Sequence, residues 1–160
     1  MFDFTQGYSG TLKNCYGVWE SGYTSTEADP RGIEADGNLD GIYPDHLRQS
    51  DFTVENMTIV NNAANTTDNV DRMQDVIKIR RKAKATITNA LVKGSGGTID
   101  LIDMNDGKDD GNAASTISIT NTLQYRTKLN GTLNTFTEPT TNTGADASLF
   151  TWTGYNFSSL

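Results

Sequence analysis

Asp36-Gly-Asn38-Leu-Asp40-Gly41 sets oxygen-bearing side chains at alternate positions and ends on glycine. A hard cation needs several oxygens converging on one point, and a tight loop with such residues at positions 1, 3 and 5 and glycine at 6 supplies them. The segment is the first half of a calcium loop. Its closing bidentate acid, due at position 12, is replaced by Leu47, so Asp45 would have to substitute. Two readings stay open for Asp36, Asn38, Asp40 and Asp45: a Ca2+ site, or Asx turns in which each side chain bonds its own backbone. Asp103, Asn105, Asp106, Asp109 and Asp110 form a second acidic loop, which reads as a solvated turn partly neutralised by Lys108.

Tyr16, Trp19 and Tyr23 could present flat faces to a sugar ring, or could cover the edge of a core. His46 stands in a loop with no serine or aspartate constellation around it, and reads as a solvated side chain. Cys15 is the single cysteine, so an intrachain disulfide is excluded and a buried structural thiol is expected. One His and one Cys are too few for an ordinary zinc site.

The elements that would position these groups are strands. Phe52-Thr-Val-Glu-Asn-Met-Thr-Ile-Val60 alternates apolar and polar residues around an asparagine, and the form recurs at 10–18, 85–92 and 117–125. In each copy an aliphatic residue (Leu12, Val54, Ile87, Ile119) stands two before an asparagine (Asn14, Asn56, Asn89, Asn121). Between the copies lie shorter strands at 32–36, 76–80 and 98–103, so two strand types alternate strictly along the chain. The asparagines are 42, 33 and 32 residues apart, and self-similarity at an irregular period of this size is the signature of a solenoid. The sequence therefore predicts an all-β fold: a right-handed parallel β-helix of about three to four coils with long loops. Leu12, Val54, Ile87 and Ile119 would form one inward column, and the four asparagines an internal ladder. Handedness follows from the general preference for right-handed parallel crossovers.

The coils are expected over 1–125. Beyond them, 126–160 is rich in Thr and Asn and ends in Phe150, Trp152, Tyr155 and Phe157. Leaving four aromatics in water forfeits about 1.5–3 kcal/mol each. This C-terminal segment is therefore expected to cover the last coil or the flank.

With 160 residues there is room for one domain, and 35% hydrophobic content suits a narrow solenoid core. A net charge of −7 argues against nucleic acid as a partner, since phosphate affinity needs clustered Lys and Arg. No stretch has the length and apolarity of a membrane-spanning helix, and no charged-then-apolar leader opens the chain. Strand-like residues begin directly after Met1. The open end is thus expected to stack on preceding coils or on another subunit.

Phe2-Asp-Phe-Thr-Gln-Gly-Tyr-Ser-Gly10, Tyr16-Gly-Val-Trp-Glu20, Ala28-Asp-Pro-Arg-Gly-Ile-Glu-Ala-Asp-Gly37 and Ile77-Lys-Ile-Arg-Arg81 resemble the C-terminal portion of secreted bacterial right-handed β-helix proteins of the pectate-lyase-like class, a mostly uncharacterised family of surface proteins. The resemblance covers about residues 2–123 and implies an extracellular or cell-surface location. In lyases built on this fold an Arg or Lys near calcium-bound carboxylates removes the substrate proton, which draws attention to Lys78, Arg80, Arg81, Lys82 and Lys84 facing Glu34 and Asp36. No complete lyase set carries over. The expectation is a non-enzymatic module for adhesion, scaffolding or assembly. The alternatives are a calcium-dependent polysaccharide lyase or glycoside-active enzyme, and a carbohydrate-binding module with polysaccharide as its partner.

Overall fold

The computed structural model describes residues 1–64 and 72–157. Part of the Asn/Thr/Asp-rich stretch read as aperiodic, 65–71, lies outside the described residues.

Among the described residues, ten strands alternate between two sheets. β1 (Phe2–Phe4), β3 (Arg31–Ala35), β5 (Met73–Ile79), β7 (Gly97–Asp103) and β9 (Gln124–Asn130) pair in that order in one sheet. β2 (Ser9–Trp19), β4 (Asp51–Asn61), β6 (Lys84–Lys93), β8 (Thr116–Asn121) and β10 (Thr135–Thr137) pair in order in the other. Every pairing within these sheets is parallel. A chain that lays alternate strands into two parallel sheets winds a parallel β-helix, each strand stacking about 4.8 Å from its equivalent. β9 and β10 continue the winding past Arg126, so a boundary at residue 125 falls inside β9. Their side chains are largely exposed, which is why no apolar alternation marks them.

The long strands are bent at their asparagines. In β4, Phe52 and Val54 are buried, then Met57 and Ile59; in β6, Ala85 and Ile87, then Ala90 and Val92. The inward parity flips because Asn56 (φ 56°) and Asn89 (φ 50°) adopt the left-handed conformation, as does Asn14 (φ 53°) in β2. Asparagine tolerates that region better than other side chains with a Cβ, since its short polar group bonds locally. One left-handed residue per strand turns a corner, and the narrow core is walled on three sides.

Leu12 lies opposite Val54, Val54 opposite Ile87, and Ile87 opposite Ile117. The last member of the column is therefore Ile117, and Ile119 pairs with Ala90 instead. β8 lacks the extra left-handed residue, so the register shifts by one between Ile87 and Ala90. Asn121 consequently lies beside Val92, outside the column of corner asparagines. In the other sheet Phe2, Ile33, Ile77, Ile102 and Leu129 stack in register, and Phe4 stacks flat on Phe52 at 4.0 Å.

Residues 142–157 run back along the flank of the second sheet, from later coils to the first. The Asn142 side chain donates to the Ser118 and Ala90 carbonyls (3.1 and 3.2 Å), and the Ala145 N–H donates to Thr58 Oγ1 (3.0 Å). Phe150 and Phe157 then pack edge-on against Tyr16, while Trp152 stays 82% exposed.

Candidate functional site

The first sheet also turns a corner. Val76 and Ile77 are both fully buried, as are Leu101 and Ile102. Two consecutive inward residues force their flanking neighbours to lean together on the outside: Arg31 with Glu34, Asp75 with Lys78, Asp100 with Asp103. Stacking brings the three pairs into one column, with Arg31 opposite Asp75, Asp75 opposite Asp100, and Lys78 opposite Asp103.

Carboxylate oxygens of Asp75, Asp100 and Asp103 lie within 4.8 Å of one another, and all three residues are buried. Like charges this close in a low-dielectric groove are tolerated only with counter-charge or shared protons. Arg31 Nε donates to Asp75 Oδ2 (2.9 Å), Lys78 Nζ contacts Asp103 Oδ2, and the Asn105 N–H donates to Asp103 Oδ1 (2.9 Å). Asn130 Nδ2 reaches Asp100 Oδ2 at 3.4 Å. Asp75 Oδ1 is buried and makes no hydrogen bond.

Burial pushes the Asp75 carboxyl up to about 6, opposed by the Arg31 hydrogen bond and reinforced by Asp103. Arg31 is held protonated: burial works against its charge, but the bond to Asp75 and the charges of Glu34 and Asp29 outweigh it. Arg31 supplies the counter-charge for Asp75, and Lys78 lies against Asp103.

The calcium-loop residues lie at the neighbouring end of the sheet. Asp36 is 4% exposed, and its Oδ1 accepts from Arg80 Nε (2.7 Å) and Arg81 Nη1 (3.0 Å). Arg80 also meets Glu34, and Arg81 also meets Asp40 and donates to Asp106 Oδ2 (2.9 Å). Burial works against the Asp106 charge, yet the Arg81 bond holds its carboxyl below the usual range. Gly37 makes this packing possible, since an added Cβ would run into the Arg81 carbonyl.

Two guanidinium groups therefore sit where a cation would have to bind. Asn38 is turned to the loop itself, its Nδ2 donating to the Arg48 carbonyl (2.9 Å). Asp45 is fully exposed, 3.7 Å from Lys82. This donor set is organised around arginine and does not fit Ca2+. His46 is exposed and accepts the Arg48 N–H at Nδ1 (3.1 Å).

Of the three aromatic groups, Trp19 and Tyr23 pack edge-on at 6.2 Å, and Tyr16 lies apart from them. Tyr16 lies beneath Phe150 and Phe157; Trp19 is 6% exposed, its indole donating to the Tyr23 carbonyl (2.9 Å). Only Tyr23 of the three is exposed, so no common stacking platform forms. Asn14, Asn56 and Asn89 line one groove with Thr143 and Gly144. Asn89 Nδ2 donates to Asn56 Oδ1 (2.8 Å), and the Thr143 N–H donates to Asn89 Oδ1 (2.8 Å). Cys15 is half-buried, and burial pushes its thiol up.

From the sequence Asp103 reads as part of the solvated acidic loop, and Asp75 and Asp100 carry no reading; the structure instead buries all three together. The cluster's signal is the repeated form of a charged residue, an apolar pair and a second charged residue, in Asp75-Val-Ile-Lys78 and Asp100-Leu-Ile-Asp103.

No curated protein and no solved structure matches the chain. A family model described as a pectate-lyase-like β-helix domain matches residues 1–155. With parallel sheets, alternating strands and nearly the whole length matched, the chain belongs to the pectate-lyase-like β-helix domain family.

Proposed function

We propose that the chain is a non-enzymatic structural module, an extracellular or cell-surface segment of a right-handed β-helix that serves adhesion or assembly by stacking a further coil on its β1/β2 face. The observation that carries this reading is the free edge of β2. Eleven residues, Ser9–Trp19, are paired with β4 on one side and with no strand on the other among the described residues.

Unpaired strand edges template further pairing, and here the apolar column reaches the edge as well. Phe2, Leu12 and Cys15 are only partly buried, and a cleft of about 440 Å3 lined by Phe2, Phe4, Tyr8 and Leu12 opens beside them. A coil placed there would bury those side chains and pair the edge in one step. The non-enzymatic part rests on Asp36, Asp75 and Asp103, whose carboxylates are engaged by arginine and lysine.

Sedimentation of the purified chain is expected to show concentration-dependent association that Leu12→Lys abolishes while circular dichroism stays unchanged. A monomer at every concentration would contradict the stacking claim. Release of unsaturated or reducing ends from acidic polysaccharides would contradict the non-enzymatic one and favour the lyase or hydrolase alternative.

A further inference from the structure

We infer that Lys78 and Asp103 form an intramolecular amide cross-link, joining β5 to β7 across adjacent coils. The two residues are register partners on neighbouring parallel strands, and Lys78 Nζ lies against Asp103 Oδ2. Their side chains are 9% and 8% exposed, so the pair sits largely out of water. Lys78 Nζ is further fixed by donating to the Asn105 carbonyl at 2.6 Å, and Asp103 Oδ1 by the Asn105 N–H. Nucleophile and carbonyl carbon are thus held together by two strands that cannot move apart without breaking the sheet.

Proximity alone does not make an amide from an ammonium and a carboxylate; a proton shuttle is also needed. Asp75, three residues from Lys78 on the same strand and influenced by its charge, is assigned that role. It is 1% exposed, its oxygen lies within 4.8 Å of those of Asp103 and Asp100, and its Oδ1 has no hydrogen-bond partner. Its carboxyl is raised to about 6, so it exchanges protons near neutral pH. Arg31 fixes Oδ2 and leaves Oδ1 free.

In the reaction Asp75 takes a proton from the Lys78 ammonium, and the neutral Nζ attacks Cγ of Asp103. The Nζ–Cγ bond forms and one Cγ–O bond breaks. Asp75 returns protons to the departing oxygen, which leaves as water carrying two of the three ammonium protons. The third stays on the amide nitrogen, and Asp75 ends as it began. No oxidant or co-reactant is required. Arg31 and Asp75 also touch, but a guanidinium is protonated and not nucleophilic, so only the lysine pair can react.

The test is the intact mass of the full chain under denaturing conditions, followed by tryptic mapping. The expected result is a mass about 18 Da (one water) below the sequence value, carried by a joined peptide pair containing Lys78 and Asp103, with no cleavage after Lys78. Lys78→Arg is expected to restore the full mass, as is Asp75→Asn with its fold checked by circular dichroism. A full-mass wild type overturns the inference whatever the variants do. So does a deficit mapped to an Asp-Gly peptide, such as Asp106-Gly107, with Lys78 still cleaved by trypsin.

Discussion

Arg31→Ala is expected to destabilise the protein by about 3–5 kcal/mol at pH 7, because it strips the counter-charge from a buried carboxylate. For a chain of this size that is a fall of roughly 10 °C in Tm. Arg31 has 5% of its side chain exposed and Asp75 has 1%, so solvent does little to screen the loss. The effect should depend on pH with a definite sign. Asp75 is raised from 3.8 to about 6 in the folded protein. A group raised on folding contributes stability that is complete below about 3.8 and is lost as pH rises through about 6, here about 3 kcal/mol. Without Arg31 the carboxyl rises further, so the deficit of the variant should shrink towards pH 4 and widen towards pH 8. Adding Asp75→Asn to Arg31→Ala should recover much of the stability at pH 7, because an amide needs no counter-charge. Urea titrations of the three proteins across this range measure both effects. A deficit independent of pH would show that Arg31 acts by packing alone.

Ile87→Ala is expected to cost about 2–5 kcal/mol, the range for removing a large aliphatic side chain from a packed interior. Ile87 is fully buried between Val54 and Ile117, and the backbone of a stacked coil cannot collapse into the gap without disturbing two neighbouring strands. Thr88→Ala, one residue on and outward-facing, should stay within about 0.5 kcal/mol. The midpoints of denaturant unfolding compare them directly. Equal costs at 87 and 88 would mean that the strand is not held with one face inward.

The winding was legible because one residue pattern recurs along the chain, although its spacing varies. Inward aliphatics two before a corner asparagine mark β2, β4 and β6, and apolar pairs mark β3, β5 and β7. The same rule failed at β8. Asn121 looks like its predecessors, but the left-handed residue that turns the corner is absent from this strand, and register follows the backbone rather than the side-chain type. β9 and β10 escaped because their pairing is made by main chain while most of their side chains face water, Leu129 and Phe136 excepted.

The acidic cluster was hidden for a different reason. Asp75, Asp100 and Asp103 are buried only because the corner after Val76 and Leu101 folds their flanks together, which no local window of sequence contains. The calcium-loop spacing was visible, but its ligands were taken by arginines 44 and 45 residues away in the chain. Spacing sets what a loop can offer; the facing coil decides what occupies it.

The stacked register is tested most directly by disulfide trapping in a Cys15→Ala background. Thr86 and Thr116 are direct partners on β6 and β8, close enough for a disulfide across adjacent strands. Mild oxidation of Thr86→Cys/Thr116→Cys is expected to give a cross-linked monomer, whereas Thr86→Cys/Ser118→Cys stays reduced. Cross-linking of the second pair with none of the first would place Ile119 rather than Ile117 over Ile87, and would contradict the register on which the core column rests.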